Sequence, residues 1–183
     1  MIILSMEVLK IIDKYYQSGS ELRNILLVHS EGVARKALQI ADRHPQLQID
    51  RDFLYEAAML HDIGIFLTNA PGIQCFGTEP YIRHGILGAH IMREEGYERH
   101  ARVCERHTGT GLSREQIISQ NLPLPHRDFL PETLEEQIIC FADKFFSKTR
   151  PDIEKTADQA RHSLLKFGEA GILRFDQWCN TFL

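Results

Sequence analysis

The sequence predicts an all-α fold on three grounds. Apolar residues recur three and four positions apart along most of the chain, which is the spacing of one helical face. No segment shows the sustained alternation of apolar and polar residues that marks a β-strand, although a small hairpin within a loop is left open. The chain has 183 residues, 43% of them hydrophobic and 25% charged, which is typical of one compact globular domain.

Breaks in the helical pattern fall mostly at proline and glycine and divide the chain into separate helices. The predicted helices cover residues 2–17, 21–44, 51–62, 84–95, 97–107, 113–119, 132–148, 151–167 and 169–180. The long loops 64–83 and 120–131 are expected to line or cover a site. We predict a single domain over residues 1–183, with the motif-bearing core at about 20–151 and closing helices at about 151–182.

Charge and composition restrict the class of function. The formal net charge is -4 and there is no basic stripe, so we expect a small-molecule substrate rather than nucleic acid. The N-terminal segment reads as an amphipathic helix rather than a secretory signal, and no apolar stretch is long enough to span a bilayer. We therefore expect a cytoplasmic protein without a membrane segment. A homodimer is possible, because the apolar N-terminal helix or the end around Trp178 and Phe182 could supply its interface.

The cysteines are widely spaced and form no CxxC pair. This arrangement favours buried free thiols over a disulfide framework or a zinc knuckle. The cysteines concerned are Cys75, Cys104, Cys140 and Cys179.

Several histidines and aspartates lie within the apolar stripes. His61, for example, ends a series formed by Leu54, Ala57 and Ala58 on one helical face. A buried imidazole or carboxylate needs a partner or a metal to offset its loss of hydration. Any single histidine of this kind is more often a hydrogen-bonded core residue, but the whole set is larger than such a domain usually buries. Imidazole with carboxylate is the ligand mixture for iron, manganese or zinc.

The same residues carry a resemblance to a known family. His29, the doublet His61-Asp62 followed by Ile63-Gly64, and Asp143 resemble the H…HD…D signature of the HD-domain metal-dependent phosphohydrolases. Further segments look like the HD-type bacterial diadenosine tetraphosphate hydrolases, and the resemblance covers about residues 20–151. These segments are His29-Ser30-Glu31-Gly32-Val33-Ala34, His84 with Gly88-Ala89, His107-Thr108-Gly109, Ala142-Asp143-Lys144 and Arg150-Pro151.

The resemblance implies an HD-domain helical bundle with a metal site in its core. It implies two divalent metals per chain, with iron or manganese expected first and zinc, magnesium, nickel or cobalt as alternatives. Metal-activated water would cleave a phosphoester or phosphoanhydride bond of a nucleotide or dinucleoside polyphosphate, with Asp62 as a catalytic residue. One metal would be held by His29, His61, Asp62 and Asp143, and the other by His84, His107 and a bridging Asp62.

Three further residues are candidates for contacts with the substrate. Lys144 and Arg150 are predicted to act as catalytic or phosphate-binding cations, although such residues are usually solvated surface charges. Thr108 is a candidate hydrogen-bond donor to a phosphate, or a helix cap. Ile65 departs from the family pattern, because many relatives place a lysine directly after HDIG, and a phosphate contact is therefore missing. The histidines predicted to be structural or superficial are His44, His90, His100, His126 and His162.

Two other functions are compatible with the same ligands. Some helical HD-type sites hold a di-iron centre and use oxygen to cleave a bond of a small polar substrate. A metal-stabilised module that binds a partner without catalysis is the second alternative. We expect a hydrolase because every ligand position is filled.

Overall fold

The computed structural model describes residues 6–183, which are mostly helical. The predicted all-α class is confirmed. The predicted helix 2–17 begins outside the described residues and is seen from Met6 onward. The α-helices are α1 (Met6–Tyr15), α2 (Glu21–Arg43), α3 (Arg51–Leu60), α4 (His84–Glu94), α5 (Glu98–Arg106), α6 (Arg114–Ser119), α7 (Leu134–Asp143), α8 (Ala157–Ser163) and α9 (Glu169–Phe182).

The helix α2 lies at the centre of the packing. It contacts both α3 and α7, while α4 and α5 form a closely packed pair, of which α5 also contacts α3 and α7. One hydrophobic cluster extends from Val8 in α1 to Phe182 in α9. Burial of this apolar surface provides the main force that holds the helices in place. The ends of α3, α5 and α7 are therefore held in a well-packed environment.

Side-chain caps determine where the central helices begin. The Ser20 hydroxyl accepts a hydrogen bond from the backbone N–H of Arg23 at the start of α2. Thr133 and Glu136 form a reciprocal capping box at the start of α7. Each cap satisfies backbone N–H groups that have no partner within the first turn of a helix. The predicted starts of these two helices agree with the structure to within two residues.

The loop 64–83 contains a short antiparallel ribbon, the small hairpin that the sequence left open. Its strands are β1 (Asn69–Ala70) and β2 (Cys75–Phe76). A turn of 3-10 helix, Pro71–Ile73, connects the two strands. The ribbon gives this loop a defined shape beside the end of α3.

The predicted helix 132–148 is too long at its C-terminal end. The structure ends α7 at Asp143, after which the N–H groups of Lys144, Phe145 and Phe146 bond to carbonyls three residues back. This tighter turn lets Phe145 pack against aromatic residues of α7 and α9 while Phe146 lies over Gly32 of α2. Burial of two consecutive aromatic rings on different neighbours ends the helix, and the chain then turns back.

The predicted helix 151–167 is also wrong in its first part. The helix α8 begins only at Ala157, where Thr156 and Gln159 form a capping box. Before it, the N–H of Lys155 bonds to the carbonyl of Phe145, which ties this segment to the end of α7. After α8, Leu165–Phe167 form a 3-10 turn.

Two other sequence predictions can be compared with the structure. All four cysteines are free, with Cys75, Cys104 and Cys140 buried and Cys179 half-buried. Across residues 6–183, no helix combines the length and apolar character that crossing a lipid bilayer requires.

Gly64 allows the turn after α3 to approach α4. A β-carbon at this position would lie 2.3 Å from the backbone nitrogen of Gly88 and 2.5 Å from the carbonyl oxygen of His84. Both distances are too short for any side chain, and both neighbours are backbone atoms that cannot rotate away. The glycine of the HDIG segment therefore permits α4 to place His84 close to His61 and Asp62.

We expect Gly64→Ala to lower the free energy of unfolding by about 2 kcal/mol or more, because the added methyl group must push α4 away. Denaturation in urea, followed by circular dichroism, measures this change. Gly72→Ala is the matched control, since a β-carbon at Gly72 has no neighbour within 4 Å. Equal stability of the two variants would contradict the role assigned to Gly64.

Candidate metal centre

The C-terminal ends of three helices meet at one place in the core. His61 and Asp62 directly follow α3, His107 directly follows α5, and Asp143 is the last residue of α7. His29, from the middle of α2, and His84, the first residue of α4, complete the group. Helix C-termini carry partial negative charge, so their convergence favours a bound cation.

The first half of this group surrounds one oxygen of Asp62. Asp62 Oδ2 lies 3.1 Å from His29 Nε2 and 3.0 Å from His61 Nε2. The same two nitrogens face Asp143 Oδ1 at 3.0 and 3.5 Å. The four side chains therefore bring their polar atoms to a common point, as a metal site requires.

The second half faces the other oxygen of the same carboxylate. Asp62 Oδ1 lies 3.5 Å from His84 Nε2 and 3.3 Å from His107 Nε2. These two nitrogens are 2.9 Å apart. Asp62 thus stands between two groups of ligand atoms, with one oxygen directed to each.

Several of these atoms are buried without a hydrogen-bond partner. They include His29 Nε2, His61 Nε2 and both carboxylate oxygens of Asp62. Although the atoms lie close together, they converge on a shared point rather than forming well-directed hydrogen bonds with one another. Leaving such groups unpaired in the core is costly, whereas a divalent cation would satisfy all of them. The residues therefore fit a metal ion, and neutral imidazole with carboxylate is a suitable donor set for one.

Three of the histidines are held in the tautomer that a metal needs. The Nδ1–H of His61 donates to the carbonyl of Ala58, that of His84 to Tyr81, and that of His107 to Cys104. In each case the acceptor is the carbonyl three residues earlier in the chain. In its neutral form each ring therefore directs an Nε2 lone pair toward Asp62, which is the usual support for a histidine ligand.

Burial and neighbouring charges set the protonation states of the cluster. Burial, reinforced by the proximity of His107, lowers the pKa of His84 to about 3, so this imidazole is neutral. Burial opposes a charge on His61, but Asp62 and Asp143 outweigh it and raise the pKa of His61 to about 9. Burial likewise favours the acid form of Asp62, yet His61 and Lys148 hold its pKa well below the usual range.

Lys148 belongs to this centre although the sequence did not identify it. Its ammonium group lies 2.5 Å from Asp62 Oδ2. Burial disfavours its charge, but the carboxylate of Asp62 outweighs burial and raises the pKa of Lys148. On a helix that continued to residue 148, Lys148 would be turned about 140° from the face of Asp143. The early end of α7 removes that restriction, and the sequence pattern gave no signal for it.

The candidate substrate contacts occupy different environments. Lys144 is buried, with its ammonium group 2.7 Å from Asp143 Oδ2 and 3.0 Å from the carbonyl oxygen of His107. Thr108 is half-buried and lines the cavity described below. Arg150 is exposed and is not among the cavity-lining residues, so the structure does not bring it to the site.

The remaining histidines lie away from the cluster, as predicted. His90, His126 and His162 are exposed, and His44 is half-buried at the end of α2. His100 is buried, and its ring packs edge-on against Phe53.

A cavity of about 700 Å³ opens onto the candidate metal centre. His84, His107 and Asp143 form part of its wall. Apolar and aromatic side chains form another part, namely Ile73, Tyr81, Ile82, Leu122, Leu164 and Phe167. The volume lies within the range of small-molecule sites, and the mixture of apolar and polar walls is typical of them.

Comparison with known proteins identifies one family. Residues 26–147, which include all six residues of the candidate metal centre, match the HD domain family. No solved structure gives a significant match.

Three relatives match this chain over only part of their own length. A tRNA (cytidine(56)-2'-O)-methyltransferase of Picrophilus torridus is 37% identical over 128 residues, or 69% of this chain and 33% of that protein. A protein of the same name from Thermoplasma volcanium is 29% identical over 174 residues, or 94% of this chain and 46% of that protein. An uncharacterized protein of Methanocaldococcus jannaschii is 36% identical over 114 residues, or 62% of this chain and 60% of that protein. The matches thus span from a third to three fifths of these curated relatives.

We expect metal binding at pH 7 to release about one proton per chain, because a cation must displace the proton that His61 holds up to a pH of about 9. The apparent metal affinity should rise with pH until that value is reached. Calorimetric titration with Mn²⁺ in two buffers of different ionisation enthalpy measures the proton count. Binding without proton release, or an affinity that falls with rising pH, would contradict this account.

Proposed function

The chain belongs to the HD domain family, and on this basis we propose that it is a metal-dependent phosphohydrolase acting on a nucleotide or dinucleoside polyphosphate. The observation that carries the proposal is the position of Asp62, whose two oxygens face two separate groups of buried ligand atoms beside a cavity. A carboxylate whose two oxygens face different ligand groups could bridge two metal ions that act on one phosphate.

The first ion would be held by His29, His61, Asp62 and Asp143, and the second by Asp62, His84 and His107. Iron and manganese suit this donor set best, since it combines imidazole with carboxylate and contains no thiolate. When bound, such ions lower the pKa of a water molecule and neutralise charge on a phosphoryl group.

The chain's own residues prepare the site for this chemistry. The carbonyls of Ala58, Tyr81 and Cys104 orient three imidazole rings before any ligand binds. Such preorganisation removes the cost of arranging the ligands during the reaction. Asp62 and His61 have no exposed surface, which excludes bulk water from this end of the cavity.

Lys148 is the cation that we assign to the phosphate at this centre. Many HD proteins carry a lysine after HDIG, but Ile65 stands there in this chain and is fully buried. The ammonium group of Lys148 reaches Asp62 from the turn after α7 instead. A metal ion beside Asp62 Oδ2 would replace the ammonium group of Lys148 at that oxygen and free Lys148 for the phosphate. Lys144 contacts Asp143 Oδ2, the oxygen that does not face the imidazoles, and a backbone carbonyl, so we propose that it holds Asp143 in position rather than binding substrate.

The cavity supports a nucleotide as the substrate. Its aromatic and aliphatic wall, with Tyr81 on one side and Phe167 on another, suits a nucleobase. The motif resemblance to diadenosine tetraphosphate hydrolases agrees with such a substrate, but the relatives named above are not hydrolases by name. We therefore propose the substrate class from the cavity and leave the leaving group to experiment.

Two relatives are named methyltransferases, but we do not propose methyl transfer for this chain. More than half of each of those proteins lies outside the match. Residues 26–147, which match the HD domain family, contain all six residues of the candidate metal centre.

Single substitutions should separate the two metals. We expect His107→Ala to weaken the second metal by more than about 100-fold, since even removal of a supporting residue weakens metal binding 10- to 100-fold. The first metal should be little affected, while His29→Ala should do the reverse. Titration calorimetry with Mn²⁺ measures both affinities, and His90→Ala serves as a control at an exposed histidine. Equal loss of both metals in His107→Ala would contradict this division of ligands.

Hydrolysis itself is tested by release of phosphate or of nucleotide products, separated by chromatography, from a panel of nucleotides and dinucleoside polyphosphates with Mn²⁺- or Fe²⁺-loaded protein. We expect turnover by the wild type and none by Asp62→Asn, because the amide cannot bridge two cations. Asp42→Asn is the matched control, since Asp42 is exposed at the end of α2. Oxygen consumption without phosphate release would instead support the di-iron oxygenase, and metal binding without turnover would support a binding module.

A further inference from the structure

Lysines are concentrated along one part of the cavity. The lining includes Lys144, Lys148, Lys155 and Lys166, whereas Asp143 is its single acidic residue within the described chain. This excess of positive charge is unexpected in a chain with a formal net charge of -4. It distinguishes the cavity from the rest of the surface.

Two of these lysines are not neutralised by a carboxylate. Lys144 is paired with Asp143 and Lys148 with Asp62. The ammonium group of Lys155 instead lies 3.4 Å from the carbonyl oxygen of Lys144, and that of Lys166 lies 5.1 Å from the ring centroid of Phe167. Neither lysine forms an ion pair with any side chain that the structure describes, from residue 8 to residue 183. Both are therefore available to an anion.

The lysines also lie close enough to affect one another. Burial chiefly lowers the pKa of Lys155, and the charges of Lys144, Lys166 and Lys148 add to the effect. Asp143 acts in the opposite direction, which places Lys155 within electrostatic reach of the metal ligands. A bound anion would relieve the repulsion among the ammonium groups.

We propose that Lys155 and Lys166 form a subsite for a phosphate group that is not cleaved. The substrate would then carry at least two phosphates, one at the metal centre and another at these lysines. The proposal rests on the proposed function only for the placement of the first phosphate. The hydroxyl groups of Ser147 and Thr149 hydrogen-bond to each other at the same cavity, which leaves one of their two O–H groups to donate to a phosphate oxygen.

The shape of the site favours a small nucleotide over an RNA strand. A strand is normally followed by a basic groove that extends along the surface. Here the unpaired lysines and the metal ligands share one cavity of about 700 Å³, and Phe167 lies next to Lys166 as a surface for a base. A short chain of phosphates attached to a nucleoside satisfies all of these features.

Binding of two probes tests the subsite. We compare adenosine monophosphate with the α,β-methylene analogue of adenosine diphosphate by calorimetry on the Mn²⁺-loaded full chain, and chromatography after each titration checks that neither nucleotide has been consumed. The wild type should bind the two-phosphate analogue more tightly. Lys155→Gln/Lys166→Gln should weaken the analogue by about tenfold or more but the monophosphate by less than about threefold, because only the second phosphate loses charge-assisted contacts.

The controls distinguish a specific phosphate subsite from a nonspecific effect of lowering the positive charge of the protein. Lys155→Arg/Lys166→Arg should restore most of the affinity for the analogue, and Lys10→Gln, at an exposed lysine of α1, should change neither probe. Circular dichroism checks that each variant is folded. Equal weakening of both probes, no change in either, or failure of the wild type to prefer the analogue would overturn the proposal.

The outcome is independent of hydrolysis. If the binding preference and its loss are observed but no nucleotide is cleaved, the subsite stands and the hydrolase proposal fails. If nucleotides are cleaved without the preference, the hydrolase stands and the subsite fails.

Discussion

The carboxylate of Asp62 is fully buried, and four imidazole nitrogens and the ammonium group of Lys148 surround its two oxygens. An isolated charge of this kind would destabilise the core by several kcal/mol, so cationic or metal partners must surround it. The fold supplies the means, because α2, α4 and the ends of α5 and α7 bring imidazole and carboxylate groups to the end of α3. Gly64 permits the close approach of α4 on which this arrangement depends. The helical bundle thus positions two groups of ligand atoms around the two oxygens of Asp62.

Periodicity predicted that the histidines and Asp143 lie inside the core, whereas Asp62 was identified from the resemblance to the HD signature. His29 and His61 fall on apolar helical faces, and a polar side chain in that position must turn inward. The same pattern predicted the class of fold and most helix positions to within a few residues. It could not predict where α7 ends, because that depends on Phe145 and Phe146 packing against separate helices far away in the sequence.

The same missing information explains which cations were misjudged. A helix extended to residue 148 directs Lys148 away from Asp143 and makes the exposed Arg150 a reasonable candidate. In the structure the chain turns back after α7, so that Lys148 contacts Asp62 and Lys155 reaches the cavity. The sequence predicts the direction of side chains on regular helices, such as His29 and His61. The direction of side chains on the connecting segments, such as Lys148 and Lys155, depends on tertiary contacts that the sequence pattern does not show.

The most direct test of the central claim is anomalous diffraction from a crystal of the Mn²⁺-loaded protein. The account predicts two manganese peaks, one beside Asp62 Oδ2 among His29, His61 and Asp143, and one beside Asp62 Oδ1 near His84 and His107. A single peak at one side of Asp62, or manganese bound elsewhere, would contradict the claim that this carboxylate joins two metal sites.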